Sequence, residues 1–146
     1  MYSCSRRYKD ACETGKTEYA ASYRTLLMFV KLKQKEINLS QKLRECSIED
    51  VYIYGAGDIC SLLIDELRGG DVRIHGIIED NEARYRTLYS KIPMFGSNSK
   101  DIEKNYTIIV SYPNRYNDIA ERLCEIGFDI NRIINLEEVL AFCIIK

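Results

Sequence analysis

Residues 55–60, Gly55-Ala56-Gly57-Asp58-Ile59-Cys60, hold the clearest spacing of residue types able to do chemistry in this chain. A glycine at the first position lets the chain turn sharply out of a strand. A second, two residues on, lets the backbone approach a pyrophosphate held at a helix N-terminus. Gly55 and Gly57 supply both, and Ala56, Asp58 and Ile59 complete the loop and the first helical turn. The third position of the pattern takes Gly or Ala for close packing of helix on strand; here it is Cys60, small but larger than either. Such a site also needs a carboxylate roughly 20 residues further on, at the end of the next strand, to accept hydrogen bonds from an adenosine ribose. Glu79 lies 24 residues beyond Gly55, with Asp80 after it. The plainer alternative is that Glu79, Asp80 and Asn81 leave the sheet as a polar turn. By register Glu79 comes ahead of Asp80 for the ribose role.

Other chemistry finds less support. A dehydrogenase or epimerase of the short-chain kind would show Tyr followed four residues later by Lys, and none of the 11 tyrosines has that spacing. Cys60, near a helix N-terminus, could be an activated nucleophile. With one histidine, His75, inside an expected strand, no general base accompanies it, so a packed thiol is the reading adopted. The six cysteines form no CxxC pair, which leaves a metal site without a ligand cluster. Gly15-Lys16-Thr17 has the form of the end of a phosphate-binding loop, yet Asp10 stands where the first glycine of that pattern belongs and no strand precedes it.

The elements around the glycine turn give it context. Val51-Tyr52-Ile53-Tyr54 is a gapless apolar run suited to a strand buried on both faces. After the turn, Ile59, Leu62, Leu63 and Leu67 share one face of a helix. Val72 to Ile78 reads as the second strand. Ile92 to Gly96 reads as a short third, with Pro93 barring a central place, and Ser97 to Asn105 suggests a short helix. Tyr106 to Ser111 is the next strand. Because open parallel sheets bind ligands outside the carboxyl ends of their strands, Ser111, Tyr112 and Asn114 should face the same crevice as the glycines. A helix from Arg115 to Ile126 ended by Gly127, a strand from Arg132 to Asn135 and a terminal helix from Leu136 complete the alternation. The fold class is therefore α/β, with a mostly parallel sheet of four or five strands.

Ahead of this body, residues 1–47 read as a basic leader, and residues 48–146 are expected to form a Rossmann-like nucleotide-binding domain. Up to Cys46 the chain has ten Lys and Arg against five Asp and Glu; beyond it the balance inverts, eleven against seventeen. The leader's basic residues are interleaved with Glu13, Glu18, Glu36 and Glu45, so docking on its own body or on a second copy is favoured over nucleic acid. Residues 1–17 show no periodicity and are expected to be loose. Glu18 to Lys35 reads as a helix with Leu26, Leu27, Phe29, Val30 and Leu32 as its apolar stripe. A second short helix follows Asn38 as N-cap, with Leu39, Leu43 and Cys46 on one face. No apolar run reaches the length of a membrane span, no signal-peptide pattern opens the chain, and the expected compartment is the cytoplasm.

Val51 to Gly57, Gly76-Ile77-Ile78-Glu79-Asp80-Asn81, Ile92-Pro93-Met94-Phe95-Gly96 and Ile108-Ile109-Val110 together resemble a known domain. It is the Rossmann-like NAD(P)-binding domain of bacterial surface-polysaccharide nucleotide-sugar epimerase/dehydratases, a relative of which begins certain sugar acyltransferases. The resemblance covers about residues 48–140 and implies a three-layer Rossmann-like fold. It also implies NAD or NADP, or a nucleotide-sugar, held at Gly55, Ala56, Gly57, Asp58, Ile59, Glu79, Asp80, Ser111 and Tyr112. The region where an epimerase holds its sugar is missing. The resemblance therefore implies a binding module serving a separate polysaccharide-biosynthesis enzyme, expected as a homodimer. The alternative is an interaction protein whose nucleotide crevice is empty, since Cys60 and the negative charge of Asp58 both depart from the pattern.

Overall fold

The structure is a computed structural model that describes residues 19–80 and 91–145. The expectations for residues 1–17 and for Asn81 lie outside the described residues.

Five strands, β1 (Asp50–Tyr54), β2 (Arg73–Ile78), β3 (Met94–Phe95), β4 (Thr107–Val110) and β5 (Ile133–Asn135), form one sheet in the order β3-β2-β1-β4-β5. Every pairing is parallel. The described helices are α1 (residues 19–34), α2 (Leu39–Glu45), α3 (Asp58–Leu67), α4 (Tyr116–Ile126) and α5 (Leu136–Ile145). This is the three-layer, Rossmann-like α/β architecture expected of the alternation.

Strand alternation assigns the two faces. Val51 and Ile53 of β1 pack with Ile77 and Ile109 against α3 and α5, and Phe29 of α1 and Leu43 of α2 close that core. Tyr52 and Tyr54 point the other way, into a core of Ile78, Ile108, Val110 and the α4 residues Ile119, Ala120 and Leu123. A gapless apolar strand is what such a doubly covered sheet requires. Proline at position 93 is tolerated because β3 is an edge strand: Pro93 supplies only its carbonyl, which accepts from Ile77 N at 2.9 Å.

The caps expected from sequence are present. Asn38 Oδ1 accepts from Gln41 N at 3.1 Å. Gly127 ends α4 in the left-handed region, φ +113°, with its N–H on Cys124 O and Phe128 N on Leu123 O, each at 3.0 Å. Two expectations need correction. Residues 97–105 form turns rather than a helix, because side chains there bond nearby backbone: Ser99 Oγ takes Asp101 N and Glu103 Oε1 takes Asn105 N. Cys46 is exposed beyond the end of α2 rather than sharing its buried face.

The leader helix docks on the body. Arg24 pairs with Glu137 at the start of α5, Lys33 with Glu66 near the end of α3, and Lys35 Nζ donates to Ile144 O at the end of α5. α1 therefore runs alongside α3 and α5 in their own direction. Its apolar residues split into two stripes rather than the single one expected: Phe29 and Leu32 are buried, whereas Leu26, Leu27 and Val30 are exposed. No helix among the described residues is long and apolar enough to cross a membrane.

Candidate functional site

Strand order places the chain's switch point between β1 and β4: from β1 the chain winds outward through β2 to β3, then returns to lay β4 and β5 on the other side. The segments leaving β1 and β4 there diverge and open a crevice. Gly55 leaves β1 with φ +104°, a conformation that side chains disfavour. Its N–H still continues the sheet, bonded to Ile78 O at 3.0 Å, and a Cβ on it would stand 2.9 Å from Ser111 Oγ and 3.0 Å from the Tyr112 ring. Ser111 is buried, and its hydroxyl lies 2.9 Å from Tyr54 O and 3.1 Å from Gly55 O, tying the two strand ends together.

Gly57 then caps α3, whose first-turn N–H groups no intrahelical carbonyl can reach. Asp58 is exposed in that turn, Ile59 is buried, and Cys60 is fully buried against the sheet, as a packed thiol should be. Against this helix end lies a cavity of about 250 Å³ lined by Gly57, Asp58, Ile59, Ser111, Tyr112 and Pro113, with Ser22 and Leu26 of α1 as its outer wall. The leader helix thus contributes a side of the crevice.

Glu79 follows β2 and is 6% exposed. Its Oε2 accepts from Ala56 N at 3.0 Å and from the Tyr112 hydroxyl, so the carboxylate braces the glycine turn from below. Asp80 is bound more widely. Oδ1 takes the Ser97 N–H at 2.9 Å and its hydroxyl at 2.7 Å; Oδ2 takes the Tyr54 hydroxyl at 3.0 Å and Arg122 at 2.8 Å. A ligand seeking Asp80 competes with all three residues. Arg122 also donates to the Tyr54 hydroxyl and lies 5.7 Å from the centre of that ring. Arg115, Ile119 and Arg122, with Tyr54, Glu79, Asp80 and Tyr112, line a second cavity of about 360 Å³. Tyr112 lines both cavities.

The structure thus gathers all nine sequence-predicted residues, Gly55, Ala56, Gly57, Asp58, Ile59, Glu79, Asp80, Ser111 and Tyr112, at one end of the sheet. Sequence reasoning missed Tyr54, Ser97, Arg115 and Arg122. Of these, only Arg115 and Arg122 carried a signal, being seven residues apart in the expected helix; the structure has Arg115 as the N-cap of α4 and Arg122 two turns on.

His75 sits at the opposite end of the sheet. The pairing of β1 with β2 slips there: Val51 opposes Ile74 and Tyr52 opposes Gly76, which leaves His75 as the extra residue of a bulge. Its Nε2 is 2.7 Å from Asp50 Oδ1, and its ring stacks on Tyr106 at 4.3 Å. The Asp50 carboxyl, held first by Arg73 and then by His75, is lowered from its ordinary 3.8 to about 2. Among the described residues no cluster of three or more His, Cys, Asp or Glu is placed to hold a metal.

Fold and site together define a Rossmann-like α/β protein with a glycine turn at its switch point. Comparison with known proteins finds no family model, curated protein or solved structure that matches the chain.

Proposed function

We propose that the chain is a nucleotide-binding module, holding NAD(P) or a nucleotide-sugar in the crevice between β1 and β4. We place it as an accessory to nucleotide-sugar or surface-polysaccharide metabolism rather than as a complete enzyme. The metabolic setting rests on the resemblance of the turn and strand ends. The absence of a catalytic assignment rests on Cys60 being packed in the core and His75 standing at the far end of the sheet.

The observation that supports binding best is Gly57. Its φ of −80° and ψ of −166° are open to any residue, and among the described residues only the Tyr112 ring lies within 4 Å of an added Cβ, at an ordinary 3.8 Å. Neither backbone nor described packing asks for glycine there, whereas a phosphate drawn against the α3 N-terminus would. Gly55, by contrast, is required by the chain itself.

One observation favours a second reading. Tyr112 lies over Gly55, bonds Glu79 and lines both cavities, which is how an interaction protein with a self-filled crevice would look. Thermal unfolding against NAD, NADP, their reduced forms, UDP-sugars and CoA separates the two. A ligand at about 100 times its dissociation constant adds roughly 2.7 kcal/mol, a rise in Tm of roughly 5–10 °C at this chain length. The expected result is a rise with one ligand class that disappears in Gly57→Asp while the variant stays folded. No rise with any of them favours the self-filled crevice.

A further inference from the structure

The outer face of α1 carries Tyr19, Tyr23, Leu26, Leu27 and Val30, exposed by 70%, 66%, 44%, 38% and 51%. A docked helix needs one apolar stripe, and α1 already spends Ala21, Phe29 and Leu32 on the body. Four residues of the second stripe, 19, 23, 26 and 30, are spaced 4-3-4, the seam by which one helix packs along another. We propose that this stripe is the contact by which two copies of the chain associate, α1 against α1 in antiparallel orientation.

The pattern itself selects a second copy and its direction. A 4-3-4 seam reads the same from either end, so a two-fold axis between residues 24 and 25 sets Tyr23 against the partner copy's Leu26 equivalent and Tyr19 against its Val30 equivalent. Large side chains then meet smaller ones. A parallel pair would set tyrosine on tyrosine and valine on valine, leaving a seam of uneven width that the antiparallel pair avoids. An aromatic side chain buries roughly 150–250 Å², so the stripe offers on the order of 500 Å² per copy and about 1,000 Å² for the pair, the lower bound of a specific interface. The association is therefore weak and concentration-dependent. Because Leu26 also lines the cavity at the α3 N-terminus, the second copy stands at the mouth of the crevice. The contact is tested on the chain without added nucleotide, so its outcome is separate from that of the proposed ligand.

Sedimentation equilibrium of the full chain tests it, with circular dichroism as the check that each variant is folded. The wild type should approach twice its 17.0 kDa mass as concentration rises, and its Tm should rise in step. Tyr19→Glu sets a carboxylate against the partner's valine and should weaken association by about tenfold or more. Adding Val30→Lys sets an ammonium opposite each carboxylate only in the antiparallel pair, and should restore association. A wild type monomeric at every concentration overturns the proposal, as does a dimer indifferent to Tyr19→Glu or a double variant that is not rescued. A monomer that floats with phospholipid vesicles overturns it in favour of a membrane surface.

Discussion

The two ends of the sheet each carry a network of carboxylates, aromatic rings and an arginine, and the networks are built on different principles. At the amino end Asp50 and Arg73 are direct partners in the β1–β2 ladder, and their side chains meet at 2.8 and 3.1 Å simply because the register sets them side by side. Arg73 is largely exposed, so water competes for every contact. At the carboxyl end Glu79 is buried, and its partners come from the turn after β1 and the segment after β4, brought together only by the completed fold. The amino-end network trims the surface; the carboxyl-end network fixes the shape of a crevice. A carboxylate kept out of water costs stability unless fully bonded, and a chain that places one under a glycine turn has committed that turn to a single shape.

The largest test of this contrast is Gly55→Ala. The left-handed backbone and the approach to Ser111 and Tyr112 both oppose a methyl group, and we expect a loss of about 3 kcal/mol in urea unfolding. A cost near zero would mean that the turn is as yielding as the amino end.

Next is Glu79→Ala, which leaves the buried Ala56 N–H without this acceptor and should cost about 2 kcal/mol. Glu79→Gln keeps an oxygen for that N–H and should cost about half as much. Equal losses in the two variants would show that charge, rather than the hydrogen bond, holds the turn.

The smallest effect is expected from Asp50→Asn. A carboxyl lowered from 3.8 to about 2 in the fold stabilises it above pH 3.8, and that contribution fades as pH falls toward about 2. The gap in Tm between wild type and variant should be small at about pH 4 and close on further acidification. A gap that widens below pH 4 would contradict the assigned partners.

How much of this was legible in the sequence depended on how local the cause was. The run Val51 to Tyr54, the cap at Asn38 and the stop at Gly127 follow from neighbours a few residues away, and each was read correctly. The glycine turn and Glu79 were readable because a fixed spacing links them. The Asp80, Ser97, Tyr54 and Arg122 cluster joins residues up to 68 positions apart, and no spacing rule connects them. Residues 97–105 misled because helical propensity was overridden by side chains bonding to nearby backbone. The α1 stripe misled for another reason: apolar periodicity reports that a face will be covered, not by what.

Both margins of the sheet are stubs, two residues in β3 and three in β5, the first entered through a proline. A stub offers few unpaired N–H and C=O groups to template a foreign strand, so edge-to-edge pairing through the described strands is disfavoured. Short edges shift the burden of association from the sheet to the helices, where the exposed apolar side chains of α1 stand.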